Sequence, residues 1–445
     1  MADTPSHGTG LLWAALGGEP ALTRRITYRG PHGLLPARLP VMELARSAVA
    51  VCSLAAAERA ATLSGGPVPA VRVDHGAVAT AFVSERHLRV DRRAPVSFAP
   101  LSRFWHAADG WVRTHANYPH HRAALLTALG AGEDDLEAAL GERRAEDIEE
   151  AVCEAGGLAV ALRTPAEWAA HPQGALVAGR PLLTRERLDD APPRRRRAGG
   201  PLRVLDLTRV IAGPVATRTL ALLGADVLRI DSPRLPELAG QHADTGFGKR
   251  SATLDLDDPA DRRTFDALLD QADVLVTGYR PGALERYGLM RTGLVVAQIS
   301  AWGDEGPWGG RRGFDSLVQV ASGIAAIEGS PEQPGALPAQ ALDHATGYLL
   351  AAAVLRSLTE QDTDGGTRLL RLALARTARL LTAVLPREPG TGTGPYAPDA
   401  WLAETASPLG TLRYARSPVA YEGSPADWSR PPGVWGSDTP EWSTS

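Results

Sequence analysis

Between residues 203 and 300 the apolar positions fall into short, nearly continuous runs separated by turn residues. RVLDL (203–207), DVLRI (226–230) and the apolar parts of ADVLVTGY (272–279) and LVVAQISAWG (294–303) are too short for buried helices. They are also too uniformly apolar for strands wetted on one side, so they read as strands covered on both faces. After the first run, Gly213-Pro214 marks a loop and Val215–Leu223 carries a helical pattern. Strand, helix and strand within about 30 residues form a βαβ unit, whose crossover is right-handed. The later runs extend the same parallel sheet, with a helix-turn at PGALERYGL between them. The pattern predicts a doubly wound α/β fold.

Two longer alanine-rich stretches read as helices. LARSAVAVCSLAAAERAATLSGG (44–66) ends in Gly-Gly and is followed by the strand-like PAVRVDH; TGYLLAAAVLRSLTEQDTDGG (346–366) also ends in Gly-Gly and is followed by TRLLRLALART. This echo fits a duplicated unit, and it equally fits two unrelated helices that each stop at glycine. Asp343, in ALDHATG, stands at the mouth of the second helix. An acid there is a good N-cap, a role worth about 1 kcal/mol, and it is also a carboxylate placed among backbone N–H groups.

DDAPPRRRRAGGP (189–201) breaks both patterns with its prolines, glycines and four consecutive arginines, and reads as a linker. An arginine run can also mark a nucleic-acid or nuclear-targeting segment. With a formal net charge of -4 and no other basic patch, neither nucleic acid nor an anionic membrane is an expected partner. The length of 445 residues favours more than one domain. Cys52 and Cys153 lie far apart in no metal-ligand spacing and read as unlinked thiols of a reducing compartment. The start lacks a basic segment followed by an apolar core, and SAVAVCSLAAA is too short to span a bilayer. A cytoplasmic protein is expected.

The chain lacks G-x-S-x-G, a phosphate-binding G-x-x-x-x-G-K-[ST] loop, H-E-x-x-H and C-x-x-C. TRVIAGPVAT, at the first strand-to-helix turn, lacks the G-x-G-x-x-G of a Rossmann dinucleotide site, so Asp231 at the end of the second strand is a poor case for holding a nicotinamide ribose. His115, His120 and His121 have no carboxylate at ligand spacing and read as surface or structural residues rather than a metal site. Lys249 and Arg250 in GKRSATLDL, with Arg280 and Arg286 in GYRPGALERYG, fall in loops near strand ends, where phosphates bind.

RVLDLTRVIAGPVATRTLALLGADVLRID, GKRSATLDL, DVLVTGYRPGALERYGL, ISAWGDEGPW, GFDSLVQVASG and ALDHATGYLLAAAVL occur in that order. In order and spacing they resemble the class III CoA-transferases, a family that includes formyl-CoA transferase, carnitine CoA-transferase and α-methylacyl-CoA racemase. The tail LRYARSPVAYEGSPADWSRPPGVWG is similar to the family's C-terminal segment. SRFWHAADGWVRTHANYPHHRAALLTALG and EDIEEAVCEAGGLAVALRTPAEWAAHPQ are similar to its small domain, which in ordinary members follows the catalytic helix. The resemblance therefore implies a rearranged chain. Residues 1–188 would be a small-domain-like half with a degenerate helix–strand copy, 189–201 a linker, and 202–445 a Rossmann-like CoA-binding and catalytic domain with a returning tail. The implied fold class is α/β, a Rossmann-like doubly wound parallel sheet domain plus a smaller α+β domain.

The resemblance implies an enzyme that moves CoA from an acyl-CoA to a carboxylic acid acceptor without a metal. Asp343 takes the place of the nucleophile and forms a covalent aspartyl-CoA thioester. For CoA it points to Val210, Ile211, Ala212, Lys249, Arg280 and Arg286. The family's racemases carry a histidine where Phe314 stands, and phenylalanine moves no proton; His344 is then the substitute within reach in sequence. Many members have an arginine after the acid that ends the second strand, where this chain reads Asp231-Ser232-Pro233, and a glycine-rich lid is not recognisable. Acyl-CoA racemisation and a silent CoA-binding role are the alternatives. The family's interlocked dimers imply a homodimer, or a single chain that mimics one.

Overall fold

The computed structural model describes residues 7–96, 98–192, 200–386 and 396–443. At its centre is a seven-stranded sheet of β1 (Leu183–Arg187), β2 (Arg203–Leu207), β3 (Asp226–Asp231), β4 (Lys249–Thr253), β5 (Val274–Thr277), β6 (Val295–Ser300) and β7 (Arg368–Ala373). The spatial order is β4-β3-β2-β5-β6-β7-β1, with every pair parallel except β7 with β1. Without β1 this is the doubly wound order in which the chain reverses direction between the first and fourth strands, here β2 and β5. The α/β reading of residues 203–300 is met nearly strand for strand. The antiparallel edge strand β1 was not anticipated, because LTRER carries no strong apolar pattern.

The uniform apolarity of the strands has a direct structural cause. Val204, Val227, Val274, Val276, Val295 and Ala297 point into one core, while Leu205, Leu228, Leu275 and Val296 point into another on the opposite face. The first core also contains four helices used below: α1 (Val41–Ser64), α2 (Ala212–Leu222), α3 (Asp315–Ala321) and α4 (Ala341–Asp364). Both α1 and α4 are 24 residues long, lie against one another, and are buried almost throughout. Ion pairs join their last turns, from Arg356 to Glu58 at 2.5 Å and from Arg59 to Asp362. Each helix is followed by Gly-Gly, a strand and a further helix: Val71–Asp74 with His75–Ala81, and β7 with Leu374–Arg379. Each of those strands pairs in parallel with one before its long helix, Ile26–Arg29 in the first case and β6 in the second.

Residues 101–161 carry a separate small core. Three antiparallel strands, Phe104–Ala107, Gly110–Thr114 and Ala159–Ala161, pack with helices Pro119–Leu129, Leu136–Gly141 and Ala145–Glu154 around Val112, Leu125, Ile148 and Val152. This is the smaller α+β part. In space, however, the chain does not divide at the arginine run. Residues before it contribute α1 to the main core and β1 to the main sheet. Residues 193–199 of the expected linker lie outside the described residues. The tail returns to β4, where Asp438 accepts a hydrogen bond from the Ser251 N–H and Trp442 enters the second core. Cys52 and Cys153 are free thiols. Among the described residues no helix is long and apolar enough to cross a membrane.

Candidate active site

The loops after β2 and β5, at the point of reversal, open a cavity of about 360 Å³. Such a crevice at the carboxyl ends of the strands is where open α/β sheets bind ligands. Its wall includes Arg209–Gly213 from the β2 loop, Gly278–Pro281 from the β5 loop, Arg311–Phe314 before α3, and Asp343. Tyr118, His120 and His121 complete it from the small α+β part. Two further cavities adjoin. One of about 450 Å³ shares Tyr279, Arg280, Ile299 and Ser300; one of about 270 Å³ shares Leu235, Tyr279 and Ala283 and reaches Arg234 and Arg286.

Asp343 is not an N-cap. The cap position is Gln340, which makes no side-chain cap bond, and Asp343 is the third residue of α4. Its N–H donates to Asp315 Oδ2 at 2.9 Å, which leaves its own carboxyl group free to face the cavity. That carboxyl group makes no hydrogen bond or ion pair among the described residues, although Asp343 is only 7% exposed. Burial raises its pKa well above the ordinary carboxylate range, and the charges of Asp315 and Glu85 raise it further. Burial also lifts Asp315 to about 6, even though it accepts hydrogen bonds from the Asp343 N–H and from Gln319 Nε2 at 2.5 Å. The two carboxyls titrate as a pair. An unpaired carboxyl with a raised pKa in a cleft is a functional-site signature.

The β2 loop that faces Asp343 is held in an uncommon shape. Val210 has φ +68°, a left-handed conformation that a β-branched residue adopts only when its surroundings impose it. The constraint is Glu237, which accepts the Val210 N–H at 3.1 Å, Arg229 at 2.8 Å and the Tyr118 hydroxyl at 2.6 Å. Burial opposes the ionisation of Glu237, yet Arg229 and then Arg209 outweigh it and hold the carboxyl at about 2. Tyr118 also lies under Arg209, 4.9 Å from ring centre to guanidinium carbon. One buried acid thereby ties the small α+β part to the cavity loop. Close approach on the other side requires Gly347, because a Cβ there would lie 2.5 Å from the Ala212 carbonyl oxygen.

Of the residues expected to share the site, Val210, Ile211, Ala212, Arg280 and Asp343 line the one cavity. Arg286 lines the adjoining one, is exposed, and pairs with Asp257 at 2.7 Å. Lys249 is displaced from the expected place. It is buried under the β2 loop, where Nζ donates to Asp206 Oδ2 and to the Pro214 carbonyl, both at 3.0 Å. Burial lowers it to about 8 despite the opposing pull of Asp206. Asp231 is likewise engaged, by Arg229 at 2.7 Å and by Trp435 Nε1 at 2.9 Å. His344 is fully buried, beside the ring of Phe82, with Nε2 3.4 Å from Glu85. It does not line the cavity.

His120, exposed, and His121, buried, read in the sequence as surface or structural residues, and both also line the cavity. Phe314 stacks face to face on His115, 3.8 Å apart, with His121 edge-on at 6.1 Å. Burial pushes the His121 pKa down to about 3, and among the described residues its Nδ1 has no hydrogen-bond partner. The signal in the sequence was the spacing of Tyr118, His120 and His121 around the proline that starts a helix, which puts them on one turn.

Residues 201–398 match the family model described as CoA-transferase family III. An acetyl-coenzyme A transferase, nodX, from Hypoxylon pulicicidum is 35% identical over 189 residues, covering 39% of this chain and 32% of the relative. The probable fatty acyl-CoA transferase Rv3272 of Mycobacterium tuberculosis is 33% identical over 193 residues, covering 39% of this chain and 49% of the relative. The succinyl-CoA–L-malate CoA-transferase beta subunit of Chloroflexus aurantiacus is 30% identical, covering 39% and 48%. The chain thus spans a third to a half of the curated relatives it matches. A crystal structure of Rv3272 aligns with a TM-score of 0.38 over 41% of this chain and 55% of that one, at 34% identity.

Proposed function

We propose that this chain, whose residues 201–398 belong to CoA-transferase family III, is an acyl-CoA:carboxylate CoA-transferase that works through Asp343. The observation that carries the reading is the unpaired, buried carboxyl group of Asp343 at the strand-end cavity. Ionised Asp343 attacks the thioester carbonyl of the donor; the C–S bond breaks, leaving a mixed anhydride and CoA thiolate. The thiolate attacks the aspartyl carbonyl and expels the donor as its free carboxylate, giving an aspartyl-CoA thioester. The acceptor carboxylate then displaces CoA to form a second anhydride. Attack by the thiolate on the acceptor's carbonyl releases the new acyl-CoA and restores the aspartate. Each step exchanges one acyl bond for another, so the covalent route divides a difficult exchange into easier ones.

The surroundings suit that sequence. Backbone N–H groups at the β2 loop and the start of α2 supply donors for the oxyanions. Gly278–Pro281 and the adjoining cavity that reaches Arg234 and Arg286 suit the CoA moiety. A cytoplasmic enzyme acting as a homodimer or an internally paired monomer fits the same reading. To test it, the protein is incubated with acetyl-CoA and then hydroxylamine, and Asp343 is examined by mass spectrometry. A hydroxamate at Asp343, absent in Asp343→Ala, is expected; an unmodified Asp343 under turnover conditions would sink the mechanism.

A second reading is favoured by one observation. His121 and Asp343 line the same cavity, an imidazole and a carboxyl placed to pass a proton at the carbon next to a thioester. Exchange of that proton with deuterated water, without an aspartyl adduct, would select acyl-CoA racemisation.

A further inference from the structure

The loop after β2 shares the cavity with Asp343, and an acid behind that loop, Glu237, fixes its shape. Glu237 sits between β3 and the helix Ala239–Thr245 with its side chain fully buried. Its Oε2 accepts the Val210 N–H at 3.1 Å and Arg229 Nη2 at 2.8 Å. Its Oε1 accepts the Tyr118 hydroxyl at 2.6 Å and the Leu238 N–H at 3.0 Å. A buried acid kept only for its charge would be answered by Arg229 alone. Here the same two oxygens also take an N–H of the loop and a hydroxyl of the small α+β part.

The bond from Val210 is the informative one. At φ +68° a β-branched residue is strained, and such strain persists where the surroundings over-determine it. The bend comes two residues before α2, whose first two residues, Ala212 and Gly213, line the cavity. Their N–H groups have no carbonyl partner inside the helix. The unpaired carboxyl group of Asp343, itself only 7% exposed, faces the same cavity. The direction in which α2 presents its free donors therefore follows from the bend, and the bend is held by Glu237.

We propose that Glu237 is a positioning residue that bends the loop at Val210, so that the α2 N–H groups meet the oxyanion formed when Asp343 attacks. Through Tyr118 the bend also depends on the small α+β part, and the site is complete only when residues 101–161 sit against the loop. Although burial opposes it, Arg229 and then Arg209 hold the Glu237 carboxyl at about 2. The carboxylate thus keeps its grip at any pH at which the enzyme is assayed. The inference rests on the transferase reading for the oxyanion, and on the geometry alone for the bend.

Steady-state CoA transfer and amide hydrogen exchange on the full chain test it. Glu237→Ala should lower kcat at least about tenfold, with a smaller change in KM, because the donors act on the transition state. Glycine adopts a positive φ without strain, so adding Val210→Gly to Glu237→Ala should recover about threefold or more of that loss. A packing role predicts the reverse, since the second substitution would only loosen the loop further. An unchanged kcat in Glu237→Ala, or a double variant no faster than the single one, overturns the proposal. Tyr118→Phe keeps the carboxylate and its Arg229 partner, and it decides the matter where Glu237→Ala does not fold. A drop in kcat of about threefold or more at an unchanged unfolding midpoint supports the proposal, and wild-type kcat overturns it. Faster amide exchange over residues 208–213 in Glu237→Ala requires no turnover. If it appears while the wild-type chain transfers no CoA, the bend stands and the transferase reading falls.

Discussion

The helices α1 and α4 begin 300 residues apart, at Val41 and Ala341, and each runs for 24 residues before Gly-Gly. Their cap residues have nearly the same backbone, φ −76° and ψ 59° at Pro40 against φ −75° and ψ 63° at Gln340. Each carries an acid at its third position, Glu43 and Asp343. The acids meet opposite fates. Glu43 accepts the Gly8 N–H at 3.0 Å, takes Arg46 at 2.5 Å and receives the Ser47 hydroxyl at 3.3 Å. Helix His7–Ala15 closes over it so tightly that a Cβ on Gly8 would lie 2.5 Å from its carboxylate. Among the described residues, no hydrogen bond or cation reaches the Asp343 carboxyl group. The same backbone frame therefore yields a structural ion pair in one place and an unpaired carboxyl in the other. What packs over the helix mouth makes the difference.

The largest effect that would break this comparison is on turnover. Asp343→Asn should cost at least about a thousandfold in transfer rate, the scale for losing a covalent nucleophile, while Glu43→Gln stays near wild type; equal losses in a CoA-exchange assay would erase the distinction. Stability should respond the other way. Glu43→Ala removes the carboxylate that Arg46 and the Gly8 N–H share, and urea unfolding should show a loss of about 3 kcal/mol. Gly347→Ala presses α4 against the Ala212 carbonyl and the Val215 side chain, at 2.5 and 2.9 Å. A destabilisation of about 1–3 kcal/mol, with a lowered kcat, is expected by the same assays.

The smaller predictions concern protons. Since burial and then the charge of Asp315 raise the Asp343 pKa, acylation should begin to fall at a pH well above the ordinary carboxylate range. Asp315→Asn removes one negative charge, so the midpoint of the pH–rate profile should move down; an unmoved midpoint would separate the two carboxyls. The same raised pKa makes a stability statement. A carboxyl whose folded pKa exceeds its unfolded value contributes stability below the unfolded value and loses it as pH rises through the folded one. Asp343→Asn should therefore raise Tm by a few degrees at pH 8 and by nothing at pH 4, measured by calorimetry.

Much of the fold was legible because strand periodicity is local. The runs 203–207, 226–230 and 294–303 announce doubly covered strands, and the chain folds them so. The echo between the two helix–Gly-Gly–strand stretches was also visible, but without coordinates it could not be told from two coincident glycine stops. The site was legible only in part. Asp343 and the β2 loop stood out through their position at element ends. Lys249 read as a loop residue because nothing nearby in sequence reveals that Asp206, 43 positions earlier, takes its charge. His120 and His121 read as surface or structural residues because their cavity partners lie more than 80 residues further along the chain.

By itself the sequence determined the strands, the long helices and the presence of an acid at the mouth of α4. Those features follow from residue type and spacing within one element, where backbone geometry leaves few choices. Only the tertiary structure decided which acid stays unpaired and which histidines join the wall. Charge pairing and burial depend on distance in space, and residues 118 and 343 become neighbours only when both halves of the chain have folded around one cavity.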